Sequence, residues 1–118
     1  MASVHPHQWR FPVVAVERVV DGDTIDLVLD LGFALRLKQR MRLIGIDTPE
    51  IASKDVGDRE RARAAREFAA AWCARQEAIV AETTKDEKYG RILGDLVGDS
   101  TRLTEELLSA RLAKRYTP

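Results

Sequence analysis

The stretch Thr24–Ile46, TIDLVLDLGFALRLKQRMRLIGI, decides the fold. Its first residues alternate, with Ile25, Leu27 and Leu29 on one side and Asp26, Val28 and Asp30 on the other, the period of a strand with one buried face. Gly32 interrupts the pattern as a hairpin turn does, and a second alternating run extends from Phe33 to Ile46. A strand that long has to bend strongly, as strands of small barrels do. Upstream, Phe11–Val20 is rich in Val and ends in Asp21, Gly22 and Asp23, a composition that turns the chain.

Downstream the period changes. Ile51–Gly57 reads as a polar connection. From Asp58 to Glu77, Ala65, Phe68, Ala69 and Trp72 recur at helical spacing while Arg61, Arg63, Arg66, Glu67 and Arg75 occupy the other faces. Ala78–Thr84 and Ile92–Val97 read as two further strands around a charged turn, Lys85–Gly90. A last helix, starting between Ser100 and Thr104, is expected to turn Leu103, Leu107 and Ala110 inward. Three strands, a helix, two strands and a helix make an α+β order. Closing five strands into a small barrel with the helices packed on it is the economical solution, because closure removes exposed edges. Residues 1–10 read as an N-terminal extension and 11–118 as a single domain, a length that supports a modest core without disulfides.

Nineteen Lys and Arg balance nineteen Asp and Glu, so no global basic field draws in nucleic acid and any polyanion contact depends on local placement. Arg36, Lys38, Arg40 and Arg42 recur at every second residue. For the first three, a ladder along a phosphate backbone and an ordinary solvated face weigh equally. Cys73 is the sole cysteine, which excludes an internal disulfide and a cysteine zinc site, and its Ala-rich surroundings suit a small buried hydrophobe. His5 and His7 flank Pro6 in a polar tail and read as a solvated terminus. No run approaches the roughly 20 apolar residues of a membrane span, and Met1–Gln8 lacks the apolar stretch of a secretory signal; the expectation is a cytoplasmic protein without membrane contact.

Three short islands carry chemistry: Asp21 to Thr24; Arg42 with Asp47, Thr48, Pro49 and Glu50; and Lys88 to Arg91. Cleaving a phosphodiester requires cations aimed at the nonbridging oxygens and a base that activates water. Asp23, Asp47 and the Thr48 carbonyl are hard oxygen donors, which point to calcium or magnesium. Arg42 and Arg91 are planar, permanently charged forks suited to phosphate, and Glu50 is the natural base. Taken singly, each island also reads as a plain turn, and Asp47 to Glu50 as a helix start.

VVDGDTIDL (Val19–Leu27), RLIGIDTPE (Arg42–Glu50) and KYGR (Lys88–Arg91) together resemble the staphylococcal nuclease, or thermonuclease, family in order, spacing and identity, over about Val13 to Lys114. The resemblance implies an OB-fold barrel and calcium-dependent cleavage of DNA or RNA. It matches Asp23, Asp47 and the Thr48 carbonyl to metal ligands, and Asp21 to a position near the metal. Arg42, Glu50 and Arg91 match the catalytic set, with Glu50 activating water and the arginines stabilising the transition state. Lys88 and Tyr89 match contacts to a nucleotide's terminal phosphate, and Tyr116, offset by about one position, stands for an aromatic that stacks on a base. The alternative is a noncatalytic barrel that binds nucleic acid or protein.

Overall fold

The computed structural model describes residues 9–86 and 91–116. Five strands close into a barrel in the order β1-β2-β3-β6-β5: β1 (Trp9–Asp21), β2 (Thr24–Gly32), β3 (Leu35–Leu43), β5 (Val80–Asp86) and β6 (Ile92–Val97). All neighbouring pairs are antiparallel except β3 with β6. Two helices, α1 (Val56–Arg75) and α2 (Leu103–Ser109), accompany the barrel, and a two-stranded ribbon pairs β4 (Ile46–Asp47) with β7 (Lys114–Arg115). This is the expected α+β, OB-fold-like architecture.

The alternation in β2 does what its period predicts. Ile25, Leu27 and Leu29 are buried with Met41 and Leu43 of β3, Ala81 of β5, Leu96 of β6, Trp72 of α1, and Leu103 and Leu107 of α2. Trp72 also satisfies its indole N–H, donating to Thr101 Oγ1 at 2.9 Å. Cys73 packs in this core, where burial pushes its thiol up to about 11, so it stays a protonated, inert thiol at neutral pH.

Several local expectations are corrected. The strong bending falls in β1, whose register with β2 shifts three times along its length and which also pairs with β5. Trp9 and Arg10, assigned from sequence to the N-terminal extension, belong to this strand opposite Thr83 and Glu82. The run 33–46 is not one strand: β3 stops at Leu43, Gly45 takes a left-handed φ of 77°, and the chain re-enters extended structure only as β4. Phe33 and Ala34, both at positive φ, form the tip of the β2–β3 hairpin after Gly32. Helix α1 begins at Val56, two residues early, because Asp55 caps it by accepting from the Asp58 N–H at 2.8 Å. The stretch Asp47 to Glu50 therefore starts no helix. Ala110 is exposed, since α2 ends at Ser109 and Ala110 is already its C-cap.

Two cations of β3, Lys38 and Arg40, are countered across the sheet. Arg40 binds Asp26 with two hydrogen bonds, at 2.7 and 3.1 Å, and Lys38 lies 3.6 Å from Glu17. The bidentate guanidinium holds the Asp26 carboxyl below the usual carboxylate range. Acids standing opposite these cations weaken the case for a phosphate-tracking ladder on this face.

Candidate functional site

The tight turn between β1 and β2 brings Asp21 and Asp23 to one end of the barrel, where β3 finishes: Thr24 pairs with Arg42, and the Leu43 N–H donates to the Asp23 carbonyl at 2.8 Å. Gly22 allows the turn to seat against α1. A Cβ there would stand 2.7 Å from Ala65 Cβ and 3.1 Å from Thr48 Cγ2, closer than a side chain tolerates.

Both aspartates then reach into the second island. Asp23 Oδ2 accepts from the Thr48 backbone N–H at 3.0 Å, and Asp21 Oδ1 accepts from the Ile51 N–H at 3.0 Å. The segment carrying Glu50 is thus pinned on either side by the first island. Thr24 Oγ1 donates to Asp23 Oδ1 at 3.0 Å, so Asp23, with its side chain only 7% exposed, is buried with partners on both oxygens.

Arg42 joins the two islands. Its Nη1 lies 3.1 Å from Asp23 Oδ2 and donates to the Leu43 and Ile46 carbonyls, each at 3.0 Å; its Nη2 donates to Asp47 Oδ1 at 3.3 Å. Asp23 and Asp47, 24 residues apart in sequence, share one guanidinium. They differ in access, because the Asp47 side chain is 60% exposed. Glu50 is also exposed, and no hydrogen bond or ion pair engages its carboxylate among the described residues. Arg91 immediately precedes β6, whose Ile92 pairs with Met41, the neighbour of Arg42. Arg91, the last residue of the third island, therefore adjoins the strand that pairs with the one supplying Arg42. Lys88 and Tyr89 lie outside the described residues. Tyr116 is half exposed and its N–H donates to the Gly45 carbonyl at 2.9 Å, which extends the β4–β7 ribbon next to Asp47.

Among the described residues, no group of three or more His, Cys, Asp or Glu side chains gathers as a metal site. The donors present are two carboxylates, one buried and one open to solvent, with a backbone carbonyl in the same turn. Such a set fits, in kind, a hard cation that keeps several waters or substrate oxygens in its shell.

The family model for staphylococcal nuclease homologues matches residues 40–118. The chain belongs to that family. Among curated relatives of this staphylococcal nuclease homologue, a thermonuclease of Staphylococcus intermedius is 32% identical over 100 residues, covering 84% of this chain and 54% of the thermonuclease. A protein named ParB, from Escherichia coli, is 40% identical over 79 residues, which cover 67% of this chain and 38% of that protein. The chain spans about half of the one and well under half of the other. None of its described helices is long and apolar enough to cross a membrane.

Reading the sequence by islands overlooks three cations that the fold brings to the same end of the molecule. Arg61, Arg111 and Lys114 line a cavity together with Asp47, Thr48 and Pro49. Arg61 reads from sequence as one more solvated helix arginine. The signal that could have singled out Arg111 is its place just past the end of a helix, where glycine is the usual residue.

Proposed function

We propose that this protein is a metal-dependent phosphodiesterase acting on DNA or RNA. The observation that carries the reading is the Arg42 guanidinium between Asp23 and Asp47, at the end of a barrel that belongs to a nuclease family. Asp23, Asp47 and the Thr48 carbonyl would hold calcium, with magnesium as the second choice. When bound, the ion supplies positive charge to the phosphate oxygens and orients a water molecule.

The chain's own residues do the rest. Among the described residues, the contacts of Arg42 use its Nη1 and one Nη2 hydrogen, so its Nε–H and second Nη2–H are left to donate to two nonbridging oxygens side by side. Because Asp23 and two carbonyls fix the guanidinium beforehand, little reorganisation is needed as charge builds on phosphorus. Arg91 is the second cation on the phosphate. Glu50, exposed and without an ion-pair or hydrogen-bond partner among the described residues, takes the proton from water as the water oxygen bonds to phosphorus and the opposite ester bond breaks. Asp21 is a positioning residue, since its bond to the Ile51 N–H orients the turn that presents Glu50. Lys88 and Tyr89 would contact a terminal phosphate, and Tyr116 would stack on a base.

Incubation with single-stranded DNA in calcium, magnesium or manganese, with and without chelator, tests the activity. Cleavage that chelator stops is expected; intact substrate with all three ions at high enzyme concentration rejects it. Glu50→Gln is expected to keep nucleotide affinity while slowing cleavage about a hundredfold or more. An unchanged rate removes Glu50 from the role of base. A noncatalytic binding barrel is the alternative, and nucleotide binding without turnover would favour it.

A further inference from the structure

We propose that the cavity of about 360 Å³ beside Asp47 and Thr48 is a subsite for a second phosphate of the nucleic-acid strand, held by Arg111, Lys114 and Arg61. The inference rests on the nuclease reading above and adds to it a length requirement for the substrate.

Three features single this cavity out. First, it shares Asp47 and Thr48 with the Arg42 cluster, so the two lie side by side. Second, its walls carry three cations against two acids, Asp47 and Asp58. Arg61 is paired with Asp58, and neither Arg111 nor Lys114 has an ion-pair partner among the described residues. Binding an ion at Asp47 would leave the surplus of positive charge larger still. Third, the Thr48 hydroxyl oxygen is buried with no hydrogen-bond partner among the described residues, on a residue that lines this cavity.

The backbone at Arg111 strengthens the case. Helix α2 ends in a Schellman motif: the Leu112 N–H donates to the Leu107 carbonyl and the Arg111 N–H to the Leu108 carbonyl, both at 3.0 Å. Arg111 occupies the left-handed position of that motif, at φ 60°, where glycine is free of strain and a long side chain is not. A residue kept there against its backbone preference, with its side chain on a cationic cavity wall, fits a binding role better than a structural one.

The test measures affinity by fluorescence anisotropy in calcium. The ligands are a phosphorothioate octathymidylate, which resists cleavage, and thymidine 5′-monophosphate as a competitor carrying one phosphate. Arg111→Gly relieves the strained φ, so it is expected to fold and to melt at a higher temperature than the parent. It is nevertheless expected to bind the octamer about tenfold more weakly, with monophosphate affinity unchanged. The slope of log affinity against log salt should shrink by about 0.7, the share of one single-strand phosphate contact. Lys114→Gln should act in the same direction, and Arg75→Ala, at the far end of α1, should not. Octamer affinity and salt slope unchanged in both the Arg111 and Lys114 variants would overturn the subsite while the parent still cleaves. Equal losses for octamer and monophosphate would also overturn it, by assigning these cations to the Arg42 site. A parent that binds neither ligand and cleaves nothing would remove the nuclease reading along with the subsite.

Discussion

Asp23 and Asp95 are both buried aspartates with nearly the same dressing, yet they sit in different kinds of place. Asp23 accepts from a threonine hydroxyl and a backbone N–H and has the Arg42 guanidinium at 3.1 Å. Asp95 accepts from the Thr104 hydroxyl at 2.7 Å and from the Leu96 and Thr104 N–H groups, with Arg102 at 3.7 Å. What separates them is what the bonds connect. Those of Asp95 tie β6 to the first turn of α2, and burial pushes its carboxyl above the usual carboxylate range. Those of Asp23 tie two loops at a barrel mouth, where the shared guanidinium continues to the solvent-exposed Asp47. A well-satisfied buried carboxylate is therefore no sign of function in itself, and neither is a shared arginine, since Arg102 also joins Asp95 to Glu82; the difference is that the second carboxylate is 60% exposed at Asp47 and only 27% at Glu82.

The sharpest break in that comparison comes from Asp23→Ala. Removing a proposed ligand and the anchor of Arg42 is expected to lower metal-dependent cleavage by at least about a hundredfold, a loss read from initial rates. Cleavage that persists would make the two aspartates equivalent structural groups. Next, Asp95→Ala should lower unfolding free energy by about 2–4 kcal/mol in urea titrations, because two backbone N–H groups and a hydroxyl lose their acceptor, while cleavage per folded molecule stays intact.

Gly22→Ala tests how closely the first island must press on α1. The Cβ would meet Ala65, so a loss of about 1–3 kcal/mol is expected, together with slower cleavage as the turn shifts Asp23.

The smallest effect is one of pH. The native state holds the Asp95 proton above the ordinary value of 3.8, so between that value and its raised native value stability falls as pH rises. Asp26 and Glu82 act in the opposite sense: the arginines bonded to them, Arg40 and Arg102, lower their native values, so their contribution is present above the ordinary 3.8 and 4.5 and is lost on acidification through the lowered values. Thermal melts of Asp95→Asn against parent should therefore show the variant's deficit shrinking as pH rises from about 4; a constant deficit would mean that Asp95 is not shifted.

Much of the barrel was legible because period 2 is written directly into residues: Ile25, Leu27 and Leu29 are apolar at alternate positions and all are buried. The bend of β1 was not, since register shifts depend on pairing two different partners at once. Likewise, β3 alone does not decide between ladder and solvated face for Arg36, Lys38 and Arg40, because the acids that counter Lys38 and Arg40 belong to other strands.

The sequence by itself determined the inventory of chemistry and the family: oxygen donors, two guanidiniums and a glutamate in three ordered islands, a pattern carried by local residue identity. Only the tertiary structure decided that Asp23 and Asp47 share Arg42 and that Asp21 accepts from the Ile51 N–H just after Glu50. It alone brought Arg61, Arg111 and Lys114 to a common cavity. Those relations join residues tens of positions apart, and distances across closed strands and packed helices are set by how the whole barrel buries its core, which no single segment encodes.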